Sequence, residues 1–181
     1  SLKQIARQAR VAGEAYVRTT RLCARELIHF RQVLWQEVDM YKFVLMRHGR
    51  SVADDEMKHE GRFDSELTEN GVAQAKGTTE LLLKSNYSFR AIITSPLKRA
   101  LRTAEIINEN YKVEIIKNEL LMEQDNGILA GQNKKDALMK YPMPSFYSPF
   151  RYFPENSGEN EIMLHARGGL AVNSLIRNDP G

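Results

Sequence analysis

Tyr41-Lys42-Phe43-Val44-Leu45-Met46-Arg47-His48-Gly49-Arg50-Ser51 is an apolar run that stops abruptly at Arg-His-Gly. Phe43 and Val44 favour extended backbone, and Gly49 permits a sharp turn. An apolar run without alternation predicts a strand buried on both faces, as in a parallel sheet. In open α/β sheets ligands bind just past the carboxyl ends of such strands. A guanidinium and an imidazole therefore stand together where chemistry is expected. Arg47 suits a phosphate because its planar fork holds two oxygens at once. His48 suits phosphoryl transfer because neutral imidazole is nucleophilic near pH 7. Taken alone, Arg-His-Gly also fits an ordinary surface loop.

At 181 residues the chain can bury a sizeable core, and 27% charged residues is ordinary for a soluble globular protein. The single cysteine, Cys23, gives no internal disulfide and fits a reducing, cytoplasmic setting. No run approaches the ~20 apolar residues that span a bilayer, so no membrane partner is expected. Residues 1–39 carry seven basic and four acidic side chains, which accounts for the whole net charge of +3. The rest is balanced, so no nucleic-acid role is expected.

Two parts are expected: an N-terminal helical extension over 1–39 and a catalytic domain over 40–181. Ile5, Ala9, Ala12, Tyr16, Cys23, Leu27, Phe30, Leu34 and Val38 form a helical stripe over 2–38. That stripe needs cover from the following domain or from a second copy, which makes a homo-oligomer one expectation. Residues 52–60 read as a polar loop. Asp54, Asp55 and Glu56 are adjacent, unlike the alternate ligands of a calcium loop. A helix is expected over 69–84 with Thr68 as N-cap and Val72, Ala75, Thr79, Leu82 and Leu83 inward. Ala91–Thr94 reads as a strand. Ser95 and Pro96 then cap and open a helix to about residue 110, with Arg99 near its start. Val113–Ile116 reads as a third strand. Glu123 follows among apolar neighbours, where burial would suit a general acid. A short helix over 133–140, an aromatic and proline-rich folded loop over 141–158, and a helix over 159–178 complete the chain.

Together these residues resemble the histidine phosphatase superfamily, also called phosphoglycerate-mutase-like. The blocks are Arg47-His48-Gly49; Gly61-Arg62-x-Asp64-x-x-Leu67-Thr68-x-x-Gly71-x-x-Gln74-Ala75; Ser95-Pro96-Leu97-x-Arg99-Ala100-x-x-Thr103-Ala104-Glu105; Leu121-x-Glu123-x-x-x-Gly127; and Phe150-Arg151-Tyr152-x-Pro154 with Ser157-Gly158-Glu159. The resemblance implies a three-layer α/β/α fold around a mostly parallel sheet, after the long N-terminal helix. It implies hydrolysis of a small phosphorylated metabolite without metal or other cofactor. His48 would become phosphohistidine, Arg47 and Arg99 would clamp the phosphoryl oxygens, Glu123 would be the acid, and Arg62 would contact substrate. The lack of the glycolytic mutases' long insertion favours hydrolysis over a mutase reaction. An inert phosphatase-like binding module is the other alternative.

Three departures stand out. Arg50 replaces a usual acidic residue. Asp54 replaces an Asn near the phosphate, where a carboxylate would repel unless protonated or turned away. The family's second histidine follows one further strand, so the domain is expected to be C-terminally incomplete. His165 imitates that histidine, but 159–176 fits better as the preceding helix.

Overall fold

The computed structural model describes residues 42–142, 145, 146 and 148–177. The readings made for the N-terminal helix and its stripe lie outside these residues. Residues 44–181 separate as a compact unit, which carries the site. It is an α/β arrangement, with helices on either side of a small parallel sheet.

The sheet consists of β1 (Ala91–Thr94) and β2 (Glu114–Lys117), parallel, with Ile92 opposite Ile115 and Ile93 opposite Ile116. Parallel strands need a crossover, and a helix over Lys98–Tyr111 supplies it. Numbered in chain order, the helices are α1 (Val52–Asp55), α2 (Glu69–Lys84), α3 (Lys98–Tyr111), α4 (Lys134–Lys140) and α5 (Glu161–Arg177). Helix α3 packs on both strands and along α2. Its buried face is Arg99, Thr103, Ala104, Ile106 and Ile107.

The strand expected from the run before Arg47 is not formed over residues 42–46. Residues 42–50 join no ladder among the described residues, and Val44, Leu45 and Met46 are exposed, Leu45 at 82%. An unbroken apolar run states a demand for cover; it does not supply the neighbours that bury it. The two described strands pair with each other instead.

Residues 52–55 form α1 rather than loop. Ser51 Oγ accepts from the Asp54 amide at 3.0 Å, and the Asp54 carboxylate accepts from the Ser51 amide at 3.2 Å. This reciprocal cap satisfies two backbone donors at a helix start. Helix α2 begins as expected, with Thr68 Oγ1 accepting from the Gly71 amide at 3.0 Å. Gly71, Ala75 and Thr79 are buried, but Leu83 is exposed. A row of every fourth residue drifts by about 40° per step, so Leu83 has left the face that Gly71 begins.

Helix α3 starts two residues later than expected. Ser95 Oγ accepts from the Leu97 amide at 3.2 Å, and Leu97 stays extended. The Lys98 amide is taken at 2.7 Å by Asp64, which is 34 residues away. The cap thus comes from a distant loop that local sequence does not reveal. Helix α5 likewise starts after Glu159, whose amide donates to Asp125 O at 2.8 Å. Phe146 and Phe150 in the preceding loop are exposed, and the Arg151 guanidinium lies 4.5 Å from the Phe146 ring centre. No described helix is long and apolar enough to cross a membrane.

Candidate active site

The Arg47-His48-Gly49 turn is held between α2 and α3. The Gly49 amide donates to Thr103 Oγ1 at 3.1 Å, and the Arg50 amide to Gln74 Oε1 at 2.9 Å. Thr68 N closes back on Arg50 O at 2.9 Å. Gly49 is needed for close approach rather than for a left-handed turn. A Cβ on Gly49 would lie 2.3 Å from Gly71 O, and one on Gly71 would lie 2.1 Å from Arg50 O. The two glycines let the turn sit directly on the start of α2.

The imidazole is oriented from both sides. His48 Nδ1 lies 2.7 Å from Gly49 O, which can only accept, so this nitrogen carries the proton. Nε2 then presents a lone pair, and Arg99 Nε donates to it at 3.2 Å. Arg99 is 1% exposed. Its other nitrogens donate to Phe63 O at 2.9 Å, Gly61 O at 2.8 Å and Glu123 Oε2 at 2.9 Å. A buried guanidinium is tolerated when its donors are occupied in this way. The structure thus brings His48, Arg99 and Glu123 together.

Arg47 approaches the same place loosely. Its exposed side chain lies 3.7 Å from Glu60 Oε2 and 3.8 Å from Asp54 Oδ1. Glu60, read from sequence only as part of a polar loop, is buried at the centre. Its Oε1 accepts from Ser51 Oγ at 2.6 Å and lies 3.3 Å from Arg99 Nε; its Oε2 is 3.9 Å from His48 Nε2. The one available signal was adjacency to the Gly61-Arg62-x-Asp64 block. Ligand atoms of His48, Asp54 and Glu60 lie within 4.8 Å of one another. Two guanidinium groups beside them disfavour a cation at that point. Asp54 is turned into its cap on Ser51. Burial pushes its carboxyl up, but the Ser51 amide and the charges of Arg47 and Lys134 hold it below the usual range. Arg50 pairs with Asp55.

Glu123 is nearly half exposed and paired with Arg99, so its side chain is not enclosed among apolar neighbours as its sequence context suggested. Its loop is tied down by Arg167 of α5. That guanidinium donates to Leu120 O at 2.8 Å, Met122 O at 2.7 Å and Glu123 O at 3.3 Å. It also grips both oxygens of Glu159, at 2.7 and 2.6 Å. The bond from Arg167 holds the Glu159 carboxyl below the usual range, and Glu159 in turn raises Arg167. Arg62 pairs with Asp125 at 3.5 Å, two residues beyond Glu123. His165 is exposed on α5 and lies 4.0 Å from Glu161, so the imitation of a second histidine ends on a helix surface.

Residues 43–181 match the histidine phosphatase superfamily (branch 1). A 2,3-bisphosphoglycerate-dependent phosphoglycerate mutase of Bacteroides fragilis is 31% identical over 145 residues, covering 78% of this chain and 52% of the relative. The chain spans about half the length of the curated relatives it matches. Among solved structures, YhfR of Bacillus stearothermophilus is similar with a TM-score of 0.62 and 29% identity, over 75% of this chain and 67% of that one. A mycobacterial glucosyl-3-phosphoglycerate phosphatase in complex with VO3 is similar with a TM-score of 0.65 and 25% identity, over 74% and 66%.

Proposed function

The chain belongs to the histidine phosphatase superfamily, and we propose that it hydrolyses small phosphomonoesters through a phosphohistidine at His48. The observation that carries this reading is the 3.2 Å bond from Arg99 Nε to His48 Nε2, with Nδ1 committed to Gly49 O. It fixes the tautomer with the Nε2 lone pair toward a buried cation, and Arg99 Nε–H passes from that lone pair to a phosphoryl oxygen before Nε2 can attack.

In the first step Nε2 attacks phosphorus, a phosphorus–nitrogen bond forms, and the ester bond to the leaving oxygen breaks. Arg47 and Arg99 neutralise charge on the phosphoryl oxygens. Those oxygens compete with Glu123 for Arg99; released from that pair, the carboxylate takes up a proton from solvent and passes it to the leaving oxygen. In the second step Glu123 takes a proton from water, the oxygen attacks phosphorus, and the bond to Nε2 breaks. Inorganic phosphate leaves and the imidazole is restored. Arg62, held by Asp125 beside the acid loop, contacts the remainder of the substrate. The reading carries a small phosphorylated metabolite as partner and a cytoplasmic setting, the latter from the single cysteine.

The experiment is turnover of p-nitrophenyl phosphate by the chain and by His48→Ala. Hydrolysis with chelator present, an acid-labile phosphoenzyme, and loss of both in the variant are expected; undiminished activity in the variant would overturn the reading. A phosphoglycerate mutase activity is the second reading, favoured by the 31% identity to the Bacteroides enzyme. It is distinguished by transfer of phosphate to 3-phosphoglycerate rather than to water.

A further inference from the structure

Glu60 is a buried carboxylate at the centre of the site that the hydrolytic scheme leaves unused. Its Oε1 takes a hydrogen bond from Ser51 and lies 3.3 Å from Arg99 Nε; its Oε2 lies 3.7 Å from Arg47 and 3.9 Å from His48 Nε2. Arg47, His48 and Arg99 are the three groups that would surround a phosphoryl group.

We propose that Glu60 is a resident competitor for the phosphoryl group: its carboxylate occupies the cradle of Arg47, His48 and Arg99, and phosphate binds as that carboxylate withdraws. The inference rests on the phosphatase reading of the same site.

The bland role would be counter-charge for buried Arg99. Arg99 already has the Glu123 carboxylate and the carbonyls of Gly61 and Phe63. Glu60 therefore adds a second negative charge to a cation that has one. Moreover, Arg99 Nε–H is already given to His48 Nε2 at 3.2 Å, while Glu60 Oε1 crowds the same nitrogen at 3.3 Å. One proton cannot serve a carboxylate, an imidazole and a phosphoryl oxygen together. An ionised carboxylate and a phosphoryl group are both acceptors only, and side by side they repel. Asp54, also nearby, is engaged by the Ser51 amide and Arg47. Ser51, a neutral donor, holds Glu60 in place while the site is empty. Only a strongly charged group displaces it, which selects dianionic monoesters over singly charged diesters.

The test is calorimetric binding of inorganic phosphate at neutral pH to the full chain and to Glu60→Gln, with thermal melting as the check on folding. Removing one charge while keeping the shape is expected to tighten phosphate by about ten- to a hundredfold, the scale of one to two pKa units of interaction. Glu60→Asp, one methylene short of the cradle, is expected to tighten it less, and it decides the matter if the Gln variant does not fold. Unchanged or weaker phosphate binding in the folded variant overturns the proposal. Tighter binding with no turnover by either protein upholds Glu60 and removes the phosphatase reading alone. No phosphate binding by either protein removes both.

Discussion

Arg99 and His48, 51 residues apart in sequence, are joined by a single hydrogen bond from a buried guanidinium to the open nitrogen of an imidazole. The bond ties the helix that leaves β1 to the turn that carries the imidazole. It makes Arg99 both a structural ion and a reactive neighbour, and substitutions separate the two roles. Arg99→Ala strips the partner from buried Glu60 and is expected to cost about 3–5 kcal/mol in urea unfolding. Arg99→Lys keeps a charge but loses the fork. It is expected to fold and to lose about 10²–10³ in turnover of an aryl phosphate.

Glu123 is expected to matter according to the leaving group. Glu123→Gln should lower turnover of an alkyl phosphomonoester by about 10²–10⁴, the usual worth of a placed acid. The loss on p-nitrophenyl phosphate should be much smaller, because nitrophenolate departs without a proton. Equal losses on the two substrates would remove the acid role.

Gly49→Ala pushes a methyl group into the Gly71 carbonyl, a backbone atom with no rotamer to yield. A loss of about 1–3 kcal/mol is expected, as for other forced overpacking, measured by thermal or urea unfolding. Activity should fall further than stability alone explains, because Gly49 O also fixes the His48 tautomer.

Acid sensitivity is expected from the Glu159–Arg167 pair. The folded carboxyl is held below its unfolded value of about 4.3 by Arg167. Its contribution is therefore fully present above that value and is lost as pH falls through the folded one. Glu159→Gln should be less stable than the parent at neutral pH, and the gap should narrow below about pH 4. Unfolding curves across that range check it.

Elements with local signals were legible in the sequence. Thr68 opens α2 where its hydroxyl predicts, and Ala91–Thr94 forms β1 from its β-branched run. The cluster of His48, Arg99 and Glu123 was legible too, through the motif that carries each. What escaped depends on contacts between distant segments. Asp64 resets the start of α3 from 34 residues away. Glu60 enters the centre only because Ser51, Arg47 and Arg99 converge there. Arg167 looks like an ordinary helix-surface residue until three carbonyls gather on it. The strand expected from the run before Arg47 failed over residues 42–46 for the opposite reason: its own residues were read correctly as apolar, but a ladder is made by neighbours. The Ser51–Asp54 cap, by contrast, is a local signal: a serine three residues before an acid is enough to open α1.

The grip of Arg167 on the carbonyls of Leu120, Met122 and Glu123 makes α5 the anchor of the loop that carries Glu123. Through that guanidinium the backbone of Glu123 is placed by α5 as well as by its own loop. The position of the proposed acid therefore depends on Arg167 and its partner Glu159, neither of which is assigned a contact with substrate.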